Sequence, residues 1–449
     1  MTSAAKHTAR RSLSRLMAGG LAVAMTGLAL TACSSGGETA PGGDAQPTKI
    51  RFLYATGDET WNTVVDSLVK NFNEQSDTAE VQLDPLPAGS DYATALKTMD
   101  ATGNWPAVVD MRDTATYVNA GKLAPLPASV TDLVDAEAVG TAEDGNIYTA
   151  PYSALNGEIG LNIVYDKDYF SEHGLEVPAT YAEFIALMDA IKANGDVPLA
   201  TAAGEVWPSD QLWKPLAAPY FAKQSAGFWN AVQAGDATVA DLREPLEKLQ
   251  TITDNYVLEG WQSTQDAQTT TLLVNYMAVM ATSSAGIGRL MDINKVDPEF
   301  NAGLFIIPAD DGSINVLKNA VNGDTAGGLA ISAQAAGDEA QLAAATEFLE
   351  YFYSVEAANA MEAAGWLAPN IKKADEITRN TEIPGAEDYF ALLASPKLVW
   401  YENSTSLSTF SAFNTFFRQS RIAMQDGQTS IDDMIAAVQA EFDKTVAAG

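Results

Sequence analysis

From residue 48 onward, short apolar segments alternate with longer amphipathic ones, and this alternation limits the available folds more than any other feature. Ile50–Tyr54 reads as a strand. Trp61, Val65, Leu68 and Phe72 then recur at helical spacing, with Asp58 and Thr60 available as caps. Val81–Leu83 and Val108–Met111 read as further strands, with a helix over Tyr92–Ala101 between them. Thr180-x-x-Glu183, Asp338-x-x-Gln341 and Ser430-x-x-Asp433 each open a helix. Ser354 caps another, while Asn194-Gly195 and Gly365 end helices. Strand segments Ile159–Val164, Leu304–Ile307 and Leu329–Ile331 lie between helical stretches. The pattern predicts an α/β protein with largely parallel sheets. No repeat of solenoid or propeller length occurs.

The first 32 residues are a different object. Lys6, Arg10, Arg11 and Arg15 form a basic leader without acids, and an apolar stretch from Leu16 to Leu30 follows. It ends in Leu30-Thr31-Ala32-Cys33, which resembles a bacterial lipobox. Residues 1–32 therefore read as a lipoprotein signal peptide and Cys33 as the lipidated residue. An ordinary signal peptide that happens to precede a cysteine is the plainer alternative. Residues 33–47, anchor plus a Gly/Ser/Pro-rich run, read as a flexible tether. No later stretch has the uninterrupted apolar length of a membrane span. The expectation is an exported body held at the outer face of the cell membrane.

Composition narrows the partners. The 449 residues carry 58 acids and 26 bases, a formal net charge of −32. Loss of the leader's four bases leaves 22 against 58, a net of −36. A field of that sign disfavours nucleic acid and anionic lipid. Cys33 is the only cysteine, so no intramolecular disulfide can form. His173 is the only histidine after the leader, and its place in Phe170-Ser171-Glu172-His173-Gly174 suits a helix end. A Cys/His zinc site or a His-based triad would rest on that one residue. There is no phosphate loop, and Gly286-Ile287-Gly288 lacks the third glycine of a dinucleotide fingerprint. No cofactor or metal is expected. Paired carboxylates for glycoside hydrolysis stay open among so many acids.

Two clusters set polar groups beside aromatics near strand ends. One is Gly57-Asp58-Glu59-Thr60-Trp61, the other Arg112-Asp113. In open α/β sheets, ligands gather at the carboxyl ends of strands. Carboxylates and arginine suit sugar hydroxyls, and aromatic faces suit its C–H surface. Asp58 reads equally as a helix cap, and Trp61 equally as a core residue.

The order of segments over residues 48–449 resembles the sugar-binding extracellular solute-binding proteins of bacterial ABC importers, the family that includes maltose-binding protein. Val164-Tyr165-Asp166-Lys167-Asp168-Tyr169-Phe170, with Gly174-Leu175-Glu176-Val177-Pro178-Ala179-Thr180-Tyr181-Ala182-Glu183-Phe184, carries the most specific likeness. Gly121-Lys122-Leu123-Ala124-Pro125-Leu126, Asp144-Gly145-Asn146-Ile147-Tyr148-Thr149-Ala150-Pro151-Tyr152 and Gly365-Trp366-Leu367-Ala368-Pro369 match other family segments. Gly103 with Pro106-Ala107-Val108 matches its "G-x-x-P-D-(V/I)" turn, with Ala107 in place of Asp. After Ala278-Val279-Met280 the family often has a tryptophan, whereas this chain has Ser283-Ser284-Ala285-Gly286.

The resemblance implies a type II periplasmic-binding-protein fold, with two α/β lobes, a hinge and a ligand cleft. It implies an N-terminal lobe of residues 48–152 and 328–375 and a C-terminal lobe of 153–327 and 376–449. Hinge crossings would fall near residues 150–156 and 323–329, where Gly327-Gly328 allows backbone rotation. The ligand residues it implies are Asp58, Glu59 and Trp61, then Arg112 and Asp113, then Trp207, Gly323, Asp324, Trp366, Phe413 and Phe416. Trp207 and Trp366 read equally as core residues. The implied function is non-enzymatic capture of a carbohydrate by a monomer that delivers it to permease subunits. A lipoprotein glycosidase and a sensor docking on a membrane receptor are the alternatives. Against the first, the chain lacks the eightfold βα rhythm of a barrel hydrolase.

Overall fold

A computed structural model describes residues 46–56, 59–86, 92–112, 114–136, 139, 141–142, 144–153, 161–224, 227–317, 328–401 and 410–448. The leader, Cys33, most of the tether, Asp58, Asp113, Gly323 and Asp324 lie outside the described residues.

The strands, in chain order, are β1 (Thr48–Ala55), β2 (Ala79–Leu86), β3 (Val108–Met111), β4 (Leu123–Ala124), β5 (Asn162–Asp166), β6 (Leu199–Ala200), β7 (Met280–Ser283), β8 (Ala302–Phe305), β9 (Ile314–Leu317), β10 (Gly328–Ser332) and β11 (Leu398–Tyr401). They form a five-stranded sheet β2-β1-β3-β10-β4, a four-stranded sheet β6-β7-β5-β8 and a ribbon of β9 with β11.

The sheets are mixed, which corrects the expectation of largely parallel ones. β1 runs parallel to β2 and β3, and β6 parallel to β7. β10 runs against β3 and β4, and β5 against β7 and β8. The cause lies in how these two strands enter. Gly328 begins β10 opposite Met111, the last residue of β3, and Asn162 begins β5 opposite Ser283, the last residue of β7. A strand that enters a sheet where its neighbours end must run against them.

Local chemistry sets the helices. The Thr180 hydroxyl accepts from the Glu183 N–H at 3.3 Å, and the Glu183 carboxylate accepts from the Ala179 N–H at 2.8 Å. The helix they start, Tyr181–Ala193, buries Phe184, Leu187, Met188 and Ile191, the face its spacing predicts. Asp338 caps Glu339–Phe352 by accepting from the Ala340 and Gln341 N–H groups, and Ser354 caps Val355–Ala363 by accepting from the Ala357 N–H. His173 is exposed at the end of Lys167–His173 and stacks on Tyr169.

The apolar cores follow the sheets. Phe52, Trp61, Phe72, Phe348 and Phe352 pack against the five-stranded sheet. Phe184, Trp213, Trp229, Phe413 and Phe442 form a second core, and Val164, Leu290 and Tyr389 a third beside the four-stranded sheet. Leu367 belongs to that third core, although Trp366 beside it packs with the first.

One chain crossing is held tightly. Ala150 and Leu329 exchange backbone hydrogen bonds of 3.1 and 2.8 Å. The Ala150 carbonyl also accepts from the buried Tyr353 hydroxyl at 2.8 Å. Gly328 adopts φ 150°, and a Cβ placed on it would lie 2.3 Å from the Ala150 oxygen. Only glycine fits there.

Candidate functional site

β1 and β3 end at the same edge of the five-stranded sheet, beside the start of β10. Asp110 and Arg112 lie two residues apart along this edge, so their side chains share a face. Asp110 is fully buried, while the Arg112 side chain is 45% exposed. The Arg112 Nη2 and Nε donate to the two Asp110 carboxylate oxygens at 2.8 and 3.3 Å. The Ala55 N–H donates to the same carboxylate at 3.4 Å, and the Tyr92 hydroxyl donates to the Asp110 carbonyl.

The Arg112 guanidinium lies over two rings, 5.9 Å from the centre of Tyr92 and 5.6 Å from that of Tyr152. Burial opposes its charge, but the Asp110 carboxylate outweighs burial and holds its pKa above the ordinary arginine value. Burial, then the Asp110 charge, pushes the Tyr92 hydroxyl well up, so it stays a neutral donor. The edge therefore presents a fixed cation whose remaining N–H groups can reach an acceptor such as a hydroxyl.

Behind this cation sit three rings. Trp61 lies 4.9 Å from Tyr152 and 4.8 Å from Trp366, and Tyr152 stacks on Trp366 at 6.4 Å. The Trp366 indole N–H donates to the Tyr152 carbonyl at 3.4 Å. Trp61 is 2% and Trp366 7% exposed, so neither offers an open face here. They pack with Tyr152, which is the core reading that the sequence held open for both. Close aromatic packing accounts for the burial.

The four-stranded sheet contributes a second edge. β6 and β7 run parallel and end there, followed by residues 201–209 and by Ser284-Ala285-Gly286. Trp207 stands on this edge with 40% of its surface exposed. The ring is open, as a ligand platform requires.

Beneath it, Asp210 is buried among cations. Arg418 donates to it through Nε at 2.7 Å and Nη2 at 2.5 Å, Arg421 donates to its other oxygen, and Lys214 lies 3.9 Å away. Burial alone would raise the Asp210 carboxyl, but Arg418, Arg421 and Lys214 together hold it well below the usual carboxylate range. The Arg421 guanidinium also covers the Trp213 ring at 4.8 Å.

The remaining expected residues fall elsewhere. Phe413 is 2% exposed and enclosed by Trp229, Phe410, Phe417 and Phe442. Its ring belongs to the second apolar core. Phe416 is half-buried against the same core. Glu59 opens the helix Glu59–Gln75. The structure thus brings Trp61, Arg112 and Trp366 together, sets Trp207 on the other sheet's edge, and places Phe413 in the second core. Asp110, Tyr92, Tyr152 and Arg418 were not singled out by sequence. Two-residue spacing on a strand could have found Asp110, because it sets Arg112 on the same face. Among the described residues no cluster of His, Cys, Asp and Glu suits a metal ion, and no helix is long and apolar enough to cross a membrane.

Two sheet edges, one with a fixed cation and the other with an open aromatic, have the chemistry of a site that binds a polar solute. Residues 67–385 match the family of bacterial extracellular solute-binding proteins, and the chain belongs to that family. It is thus an exported binding protein, not an enzyme. Among relatives, the multiple sugar-binding protein of Streptococcus mutans is 24% identical over 349 residues, covering 75% of this chain and 77% of that one. Among solved structures, a chitin oligosaccharide binding protein matches with a TM-score of 0.73 and 20% identity, over 90% of this chain and 100% of that one. A sugar transporter of Bacillus licheniformis, in complex with stachyose, matches with a TM-score of 0.68 and 15% identity, over 89% and 100%. These likenesses show the two-lobed type II fold with its hinge and cleft.

Proposed function

We propose that the protein captures a neutral sugar or oligosaccharide outside the cell and delivers it to the permease of an ABC importer. One observation carries the reading: a ring-backed cation, Arg112, stands at the edge of one sheet, and an open indole, Trp207, stands at the edge of the other. Arginine N–H groups suit sugar hydroxyls, and an indole face suits the C–H surface of a pyranose. The sugar-binding relatives support the same class of ligand. The excess of 58 acids over 26 bases disfavours an anionic cargo. Both edges come from one chain, so a monomer suffices.

In this reading, residues 48–152 and 328–375 form one lobe, and 153–327 and 376–449 the other. Sheet membership supports the division, since every strand of the five-stranded sheet falls in the first set and every other strand in the second. Sugar bound between the edges favours the closed arrangement by its extra contacts, and the permease reads that arrangement. The residues proposed to meet the sugar are Arg112 and Trp207, with Asp58, Glu59, Asp113, Gly323, Asp324 and Phe416 added on the family resemblance.

The test is thermal unfolding of residues 34–449 with a panel of mono- and oligosaccharides, using amino acids and polyamines as controls. A ligand at about 100 times its Kd adds about 2.7 kcal/mol. A raised Tm with one sugar class is the expected result. A shift with a control alone overturns the cargo.

Cys33 is proposed as the lipid anchor, on its position after Leu30-Thr31-Ala32. Cys33→Ser is expected to move the protein from the membrane pellet to the soluble exported fraction. Pelleting unchanged from the parent would rule the anchor out.

A further inference from the structure

Trp207 directly follows a residue with strained backbone. Val206 adopts φ 67°, ψ −53°, and the Trp207 N–H donates to the Glu205 carbonyl at 2.8 Å. This is the rare mirror form of the γ-turn, closed by a hydrogen bond between residues i and i+2. Val206 is also β-branched, the side-chain type that least tolerates positive φ. Val206 and Tyr276 are the only non-glycine residues with positive φ among those described. A glycine would make the same turn without strain.

The surroundings force the turn. The Val206 N–H donates to the Ala203 carbonyl at 2.9 Å, and the Ser209 hydroxyl donates to the Val206 carbonyl at 2.7 Å. The Gly204 N–H donates to the Thr264 carbonyl at 2.9 Å, and a Cβ on Gly204 would lie 2.9 Å from the Ser263 oxygen. The Glu205 carboxylate accepts from the Asp266 N–H at 2.8 Å. Asp266 is itself held by Arg289 at 2.7 Å and by Gln211 at 2.6 Å. Strain over-determined in this way is characteristic of ligand clamps. What the turn presents is also unusual. Of the chain's eight tryptophans only Trp207 and Trp400 are exposed, at 40% and 42%, and Trp207 is the one at the edge where β6 and β7 end.

We infer that Val206 is a positioning residue: its forced γ-turn fixes the Trp207 ring in its ligand-bound attitude before ligand arrives, so that binding does not have to order it. The inference rests on the sugar reading above and adds to it a source of affinity outside the contact surface.

The experiment compares Val206→Gly, Trp207→Ala and the double variant. Val206→Gly removes the strain and frees the ring. Its unliganded Tm should match or exceed that of the parent, while its Kd for the sugar found in the panel weakens about tenfold. In the double variant the Val206→Gly change should add nothing to the loss caused by Trp207→Ala, because the ring it positions is gone. Full additivity, or Val206→Gly binding as tightly as the parent, overturns the inference. Ser209→Ala, which removes one clamp on the Val206 carbonyl, serves if Val206→Gly fails to fold, and should weaken binding in the same direction. A readout without ligand separates this inference from the sugar reading. With 5-fluorotryptophan incorporated, the Trp207 fluorine resonance of the unliganded parent should be single and sharp, and broadened or split in Val206→Gly. An unchanged resonance overturns the positioning role whatever the ligand proves to be. A parent that binds no sugar overturns only the cargo.

Discussion

Replacing Asp210 with Ala is expected to cost about 3–5 kcal/mol of stability, because it leaves buried cations without their carboxylate. Asp210 is 6% exposed, and Arg421 is 1% exposed. Their partners come from two helices far apart in sequence, Asp210–Phe221 and Phe410–Gln425. The loss would therefore loosen the docking of the C-terminal helix pair. Urea unfolding checks it, and a midpoint equal to the parent's would show that the pair contributes nothing.

The same carboxylate sets an acid limit. Its folded-state pKa lies below the unfolded value of about 3.9. Its contribution is thus complete above that value and is lost as pH falls towards the folded one. Asp210→Asn should be less stable than the parent at neutral pH, and the gap should narrow below about pH 4. A gap of constant size across that range would place the acid sensitivity elsewhere.

Gly328→Ala should be nearly as damaging, at about 3 kcal/mol, and for a backbone reason. The added Cβ would lie 2.3 Å from the Ala150 oxygen and 2.7 Å from its carbon, at φ 150°. Neither contact can yield without parting the two crossing segments or breaking the Tyr353 hydrogen bond. Calorimetry of the unliganded protein reads the loss. Gly337→Ala is the control, since a Cβ there meets nothing closer than 3.4 Å. Equal melting temperatures for the two variants would mean that the crossing tolerates the displacement.

What could be read from sequence was mostly local. Thr180 with Glu183, Asp338 and Ser354 announce helix starts because a cap acts within one turn. Val108–Met111 is apolar enough to be a buried strand, and it is β3 to the residue. Strand direction was not legible, because the sense of β5 and β10 follows from where the chain crosses between sheets. Burial of aromatics was not legible either. Trp61, Phe413 and Trp207 look alike in a sequence, yet the first two are 2% exposed and the third 40%. The Asp210–Arg418 pair joins residues 208 positions apart, and no local signal spans that distance. Arg112 was found because it follows a strand end. Its partner Asp110 carries no such signal, because a single carboxylate inside an apolar strand reads as part of the strand.

The place of β10 has a consequence for the order of assembly. It lies between β3 and β4, and among the described residues β4 pairs with no other strand. The first sheet therefore cannot close until residues 328–332 are available, although most of its strands come from the first 124 residues. A chain threaded outward through a narrow channel, N-terminus first, delivers β1, β2 and β3 long before their missing neighbour. The early part stays unfinished while the middle of the chain passes. Closure of the sheet is then a late, long-range event, slow by the rule that distant pairings fold slowly. The sheet that emerges first is completed only by a strand from the last third of the chain.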